Sequence, residues 1–239
     1  MSIHKIKRYP IIDTLRGFAI LAMMAYHFGF DLNMQGYIVQ DLNHSLSWLV
    51  ARSIILSTFL FVSGFSIMLA QQSTIKMHLQ RIARIAGCAL LVSIGSYFMF
   101  PESWIFFGVL HFIVLASLLC MYLAPHEKWL LPLGLTVLVI GIFYKSIAFN
   151  QSMLQWLGMM TFKPITEDYV PIFPWLGVML IGMSVGAWAL RRPLNWPLDT
   201  TPPAILKPVG MLGRRSLAVY MLHQPILLGL LWIYGVMLR

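Results

Sequence analysis

Charge is scarce in this chain. Only 10% of its 239 residues are charged, against about 25% in soluble domains, and 59% are hydrophobic. A soluble globular domain is excluded: at about 20 residues per span, six to eight helices use up the chain. Acidic groups are scarcer still, eight against seventeen Lys and Arg, for a net charge of +9. In a chain of apolar spans that excess reflects Lys and Arg retained on the cytoplasmic side, so no nucleic-acid partner is expected. Cysteine is limited to Cys88 and Cys120, both inside apolar stretches, which argues against a disulfide and leaves no metal-ligand cluster. No internal repeat or low-complexity run is present. The start, MSIHKIKRYP, has no small-residue cleavage site, so the first helix is expected to be retained.

What the chain does have is a series of apolar runs separated by turn chemistry. The runs predict helices at about 13–30, 48–70, 81–99, 103–123, 129–147, 170–190 and 212–237. Pro101-Glu102, residues 124–128, Arg191-Arg192-Pro193 and the Pro-rich segment 197–208 supply the breaks. Residues 153–162 are apolar but too short to span and read as an interfacial or re-entrant piece. The expected fold is all-α: one transmembrane domain over 1–239, a polytopic bundle of about seven helices, or eight with the short segment. With the N-terminus in the cytoplasm, thirteen of the seventeen cations lie inside, and Arg52, Lys145, Lys163 and Arg239 lie outside. That asymmetry predicts a multi-pass protein of the bacterial inner membrane, N-terminus cytoplasmic, with the bilayer as a partner and homo-oligomers allowed.

The polar groups within these spans carry the functional signal, since charge at membrane depth is costly. At about 100° per residue, Asp13, Arg16, His27 and Asp31 share one helical face, with Gly17 on the same stripe to admit another backbone. His27 reads as a general base or as an interhelical hydrogen bond. Asp13 and Arg16, at i and i+3, either serve the site or neutralise each other. Arg81 and Arg84, like Arg214, read as phosphate ligands or as inner-side anchors. Arg52, a cation at an outer helix end, calls for a carboxylate such as Asp31 or Asp168, or for an anionic substrate. His44 lies in the outer loop, as a base or a solvated side chain. His111 is expected about eight residues, ~12 Å, inside the fourth helix. Asp168 and Tyr169 precede two prolines at the outer mouth, and His223 precedes Pro225 in mid-helix, where a carbonyl is released.

Taken together, Asp13-x-x-Arg16-Gly17, His27, Phe61-Val-Ser63-Gly64, Phe107-Gly-x-Leu-His111, Asp168-Tyr-x-Pro-x-x-Pro-Trp175 and His223-Gln-Pro225 resemble the bacterial relatives of heparan-α-glucosaminide N-acetyltransferase. The spacing of eleven between Arg16 and His27 also resembles the wider membrane acyltransferases. The resemblance implies acyl transfer from cytosolic acetyl-CoA, a donor substrate with no metal involved, to a small-molecule or glycan acceptor across the membrane. In the lysosomal relative an Asn stands where this chain has His27, and a loop histidine resembling His44 is the proposed base.

The expected mechanism gives His27, with His44, the role of base, and Asp31 or Asp13 that of fixing its tautomer. His111, Tyr169 or Arg52 stabilises the oxyanion. Arg16, Arg81, Arg84 and Arg214 take the CoA phosphates, and Arg52, Asp168, Tyr169 and His223 the acceptor. Transfer is direct, an acetyl-histidine being the other route. A proton-coupled transporter or flippase using the same polar path is the rival class.

Overall fold

The structure is a computed structural model, and it describes residues 9–42, 44–71, 73–191 and 200–237. Lys5, Lys7, Arg8, Arg192 and Arg239, which enter the sidedness expectation, lie outside the described residues. The chain is all-helical, with no strand among the described residues. Among the described residues eight α-helices follow in order: α1 Pro10–Met34, α2 Leu46–Leu69, α3 Ile75–Met99, α4 Val109–Leu123, α5 Glu127–Phe143, α6 Ile172–Leu190, α7 Lys207–Arg214 and α8 Ser216–Met237. Five of them (α1, α2, α3, α6 and α8) are long and apolar enough to cross a membrane, and α4 is a shorter apolar helix. The expected count of seven spans is therefore shown only as five and a shorter one.

Two boundaries differ from the sequence expectation for physical reasons. α4 begins at Val109 rather than near 103, because the preceding backbone is bonded elsewhere. Ser96 Oγ accepts from Ile105 N at 2.9 Å, Ser93 Oγ donates to the Ile105 carbonyl at 2.7 Å, and Thr166 Oγ1 donates to the Trp104 carbonyl at 2.7 Å. An isolated bridge pairs Gly108 with Tyr169. His111 thus stands in the first turn of α4, not two turns inside it. The last span also divides: the loop expected up to Pro208 ends as the separate helix α7, and α8 starts only at Ser216. Between 147 and 157 the chain forms short 3-10 turns, Ile147–Asn150 and Ser152–Leu157, rather than a helix able to span.

The described residues divide into two compact units, one within 60–191, the other within 9–59 and 200–237, the boundary falling inside α2. In the first unit, small residues bring helices together, as expected where lipid offers no hydrophobic drive to associate. A side chain on Gly64 would collide with the Met179 carbonyl of α6, and Gly134 of α5 packs against Gly177 of α6. Glu127 and Arg191 form an ion pair between the start of α5 and the residue after α6. In the second unit α1 packs on α7 and α8. Gly17 of α1 lies against the Val209 carbonyl and Gly213 of α7 against the Asp13 carbonyl, so neither position has room for a Cβ.

Candidate functional site

In the second unit, the polar stripe of α1 is the face that meets α7 and α8. At its first turns, Asp13 Oδ1 accepts from Arg16 Nη1 at 3.2 Å and Asp13 Oδ2 from Arg214 Nε at 3.0 Å. One carboxylate thus holds two guanidiniums from two helices. Three turns on, His27 faces His223 of α8, with ring centroids 5.0 Å apart and planes tilted by 59°. One turn further, Asp31 Oδ1 accepts from Gln224 Nε2 at 3.1 Å. Asp31 and His223 are both buried.

The donor and acceptor roles in this cluster follow from the bonds already made. His223 Nδ1 lies 2.6 Å from the Tyr220 carbonyl, an acceptor only, so Nδ1 carries the proton. Nε2 is then a bare lone pair, buried and without a partner among the described residues. Pro225 itself releases the carbonyl of Met221; the carbonyl His223 uses is one residue earlier. Asp13 and Asp31, expected as orienters of an imidazole, instead hold the two arginines and Gln224, and a backbone carbonyl orients His223. Asp31 is likewise taken as a partner for Arg52. Arg52 instead lies within electrostatic range of Tyr26, whose ring meets Trp48 edge-on at 5.3 Å between centroids.

The outer loop of the same unit holds a second arrangement. His44 is exposed, and its Nδ1 lies 3.1 Å from both carboxylate oxygens of Asp41, which also accepts from His44 N at 3.0 Å. The carboxylate keeps the proton on Nδ1 and leaves Nε2 facing outward.

In the first unit the expected site residues are tied into the fold. Gly108 N donates to His111 Nδ1 at 3.2 Å, so the ring proton sits on Nε2, 3.0 Å from Ser93 Oγ. Ser93 Oγ passes its own proton to the Ile105 carbonyl. Both nitrogens of His111 are therefore committed, and the ring staples the start of α4 to α3. Replacing His111 by Ala should strand the Gly108 amide and lower stability by about 1–3 kcal/mol, read from thermal unfolding in detergent. Asp168, at φ 48° in the left-handed region that Asp tolerates, accepts from Val109 N at 3.1 Å and so caps α4. The Tyr169 hydroxyl donates to the Gln155 carbonyl, and burial pushes its phenol above the usual tyrosine range. Arg81 is half-buried and Arg84 exposed, both near the start of α3.

Reading the sequence assigned Gln224 no role beyond its place in the His223-Gln-Pro225 motif, and it missed Asp41. Each had a signal: Gln224 is a lone amide beside a histidine in an apolar run, and Asp41 stands three residues before His44, the separation of a local turn.

A comparison with protein families decides what this arrangement belongs to. The family model described as heparan-alpha-glucosaminide N-acetyltransferase, catalytic, matches residues 8–225. The chain belongs to this family. No curated protein and no solved structure gives a significant match. The match to the heparan-α-glucosaminide N-acetyltransferase family takes in both polar pairs, from Asp13 through His27 and Asp31 to His223 and Gln224. Together with the apolar helices it makes this a membrane protein of a transmembrane acetyltransferase family.

Proposed function

We propose that this protein moves an acetyl group from cytosolic acetyl-CoA to a sugar or envelope acceptor on the periplasmic side of the inner membrane, with its N-terminus in the cytoplasm. The observation that carries the reading is the pairing of half-buried His27 with buried His223 inside the family match: His223 Nε2 is held as a proton acceptor by the Tyr220 carbonyl. A free imidazole lone pair beside a second imidazole is what removal of a proton from an amine or hydroxyl needs. His27 takes the proton as the acceptor attacks the thioester carbonyl, and His223 shares it. The C–O or C–N bond forms, the C–S bond breaks, and the proton passes to the departing CoA thiolate. Arg52, which has no hydrogen-bond partner among the described residues, is the donor for the developing oxyanion. A second reading, favoured by the Asp41 carboxylate on His44 Nδ1, gives the base role to His44.

The candidate ligands for the CoA phosphates are Arg81 and Arg84 in the first unit or, as the alternative, Arg16 and Arg214 in the second. Acetyl-CoA at about 100 times its Kd should stabilise the purified protein by about 2.7 kcal/mol. Arg81→Gln with Arg84→Gln should remove most of the thermal shift at the same ligand concentration. A shift of full size in the double variant would return these arginines to anchoring. No shift with any acyl-CoA would sink the acetyltransferase reading.

A further inference from the structure

Two polar rungs join α1 to α8, His27 with His223 and Asp31 with Gln224. On α1 they are four residues apart, about 6 Å along the axis. Their hydrogen bonds do not balance. Asp31 is 1% exposed and His223 5% exposed. Asp31 Oδ2, Gln224 Oε1 and His223 Nε2 are all buried and without a partner among the described residues. Every one of these three atoms is an acceptor, because the Gln224 amide group donates to Asp31 and the His223 proton points to Tyr220. A packing motif between helices satisfies itself, donor against acceptor, and leaving a buried acceptor unpaired costs about 1–3 kcal/mol. An excess of acceptors alone suits a ligand that brings the donors. Gln224 also binds only one oxygen of Asp31, so it fixes the carboxylate while leaving the other oxygen open.

We propose that Asp31 is the anchor for the acceptor substrate: Oδ2 accepts an N–H or O–H from a group adjacent to the reacting one, while the histidine pair takes the reacting proton. The class of ligand is a compound with at least two amine or hydroxyl donors on one side. This rests on the acetyltransferase reading. It differs from a catalytic role for Asp31, because the carboxylate binds the substrate and does not orient an imidazole.

The test needs no knowledge of the acceptor. Membranes carrying the protein are given radiolabelled acetyl-CoA, and label entering endogenous envelope material is compared with membranes lacking the protein. Asp31→Asn keeps an oxygen for Gln224 but puts an NH2 where the open acceptor was. Incorporation should fall at least about tenfold, while the apparent KM for acetyl-CoA and the thermal shift it produces stay unchanged. Asp31→Glu, which keeps the carboxylate, should recover part of the rate. Incorporation by Asp31→Asn above half the wild-type rate would overturn the proposal. So would joint loss of incorporation and of the acetyl-CoA shift, the mark of a structural residue. If Asp31→Asn fails to fold, Asp31→Ser, which removes the carboxylate, decides alone: folded protein that keeps more than half the wild-type rate overturns the assignment. Wild-type membranes that incorporate no label above background would overturn the acetyltransferase reading, and this assignment with it.

Discussion

Replacing His27 by Gln is expected to lower acetyl transfer by about 10²–10⁴-fold while the fold and acetyl-CoA binding persist. Glutamine is of similar size and still hydrogen-bonds, so it replaces whatever His27 does as a packing group. It cannot take up a proton at neutral pH. The partner ring of His223 lies 5.0 Å from His27 by centroids, and its Nε2 is an unpartnered acceptor. His223→Gln should therefore reduce transfer as well, and the double variant should cost little more than the worse single one, as for groups that act as a unit. His44→Gln provides the contrast. Near-normal transfer by His27→Gln, with transfer abolished in His44→Gln, would give the base to the loop, where Asp41 already orients the ring. His27 would then be a neighbour of the reacting groups.

The second large effect expected is on stability. Asp13 is 14% exposed and accepts from Arg16, 18% exposed, and from Arg214, 49% exposed. Asp13→Ala removes the carboxylate and leaves two cations beside an apolar helix. Breaking a buried pair costs about 3–5 kcal/mol. With Arg214 half in solvent, about 3 kcal/mol is the better expectation. The loss should be visible in thermal unfolding, and adding Arg214→Ala to Asp13→Ala should cost less than the sum of the two single changes. Transfer per folded molecule should stay near normal if Asp13 clamps α7 to α1. A rate loss of a hundredfold in well-folded Asp13→Ala would place the carboxylate in the chemistry instead.

The stripe on α1 was legible because helical phase is a local property. Asp13, Gly17, His27 and Asp31 fall on one face by counting alone, and that face meets Arg214, Val209, His223 and Gln224. What meets it was not legible, since α7 and α8 lie some two hundred residues further along the chain. The depth of His111, by contrast, did not read correctly. The aromatic run before Gly108 has the composition of a span, and only Ser93, Ser96 and Thr166, from elsewhere in the chain, hold it out of the helix. The break at Arg215 was hidden in the same way. Gly210 and Gly213 look like tolerated helix glycines until α1 is seen to press against them. Tautomers were beyond reach throughout, because each is set by the second nitrogen's partner.

The shared carboxylate at Asp13 has a consequence beyond holding two helices. One negative group against two positive ones leaves the cluster with a net charge of +1, and the surplus lies on Arg214, the more exposed of the two guanidiniums. Such a cluster draws anions from a distance, and a polyanion that reaches Arg214 competes with Asp13 for its donors. The pull fades over a Debye length of about 10 Å at 0.1 M salt. Ionic strength therefore acts on how fast an anionic molecule arrives at this end of α1, and far less on the bonds buried deeper along the helix.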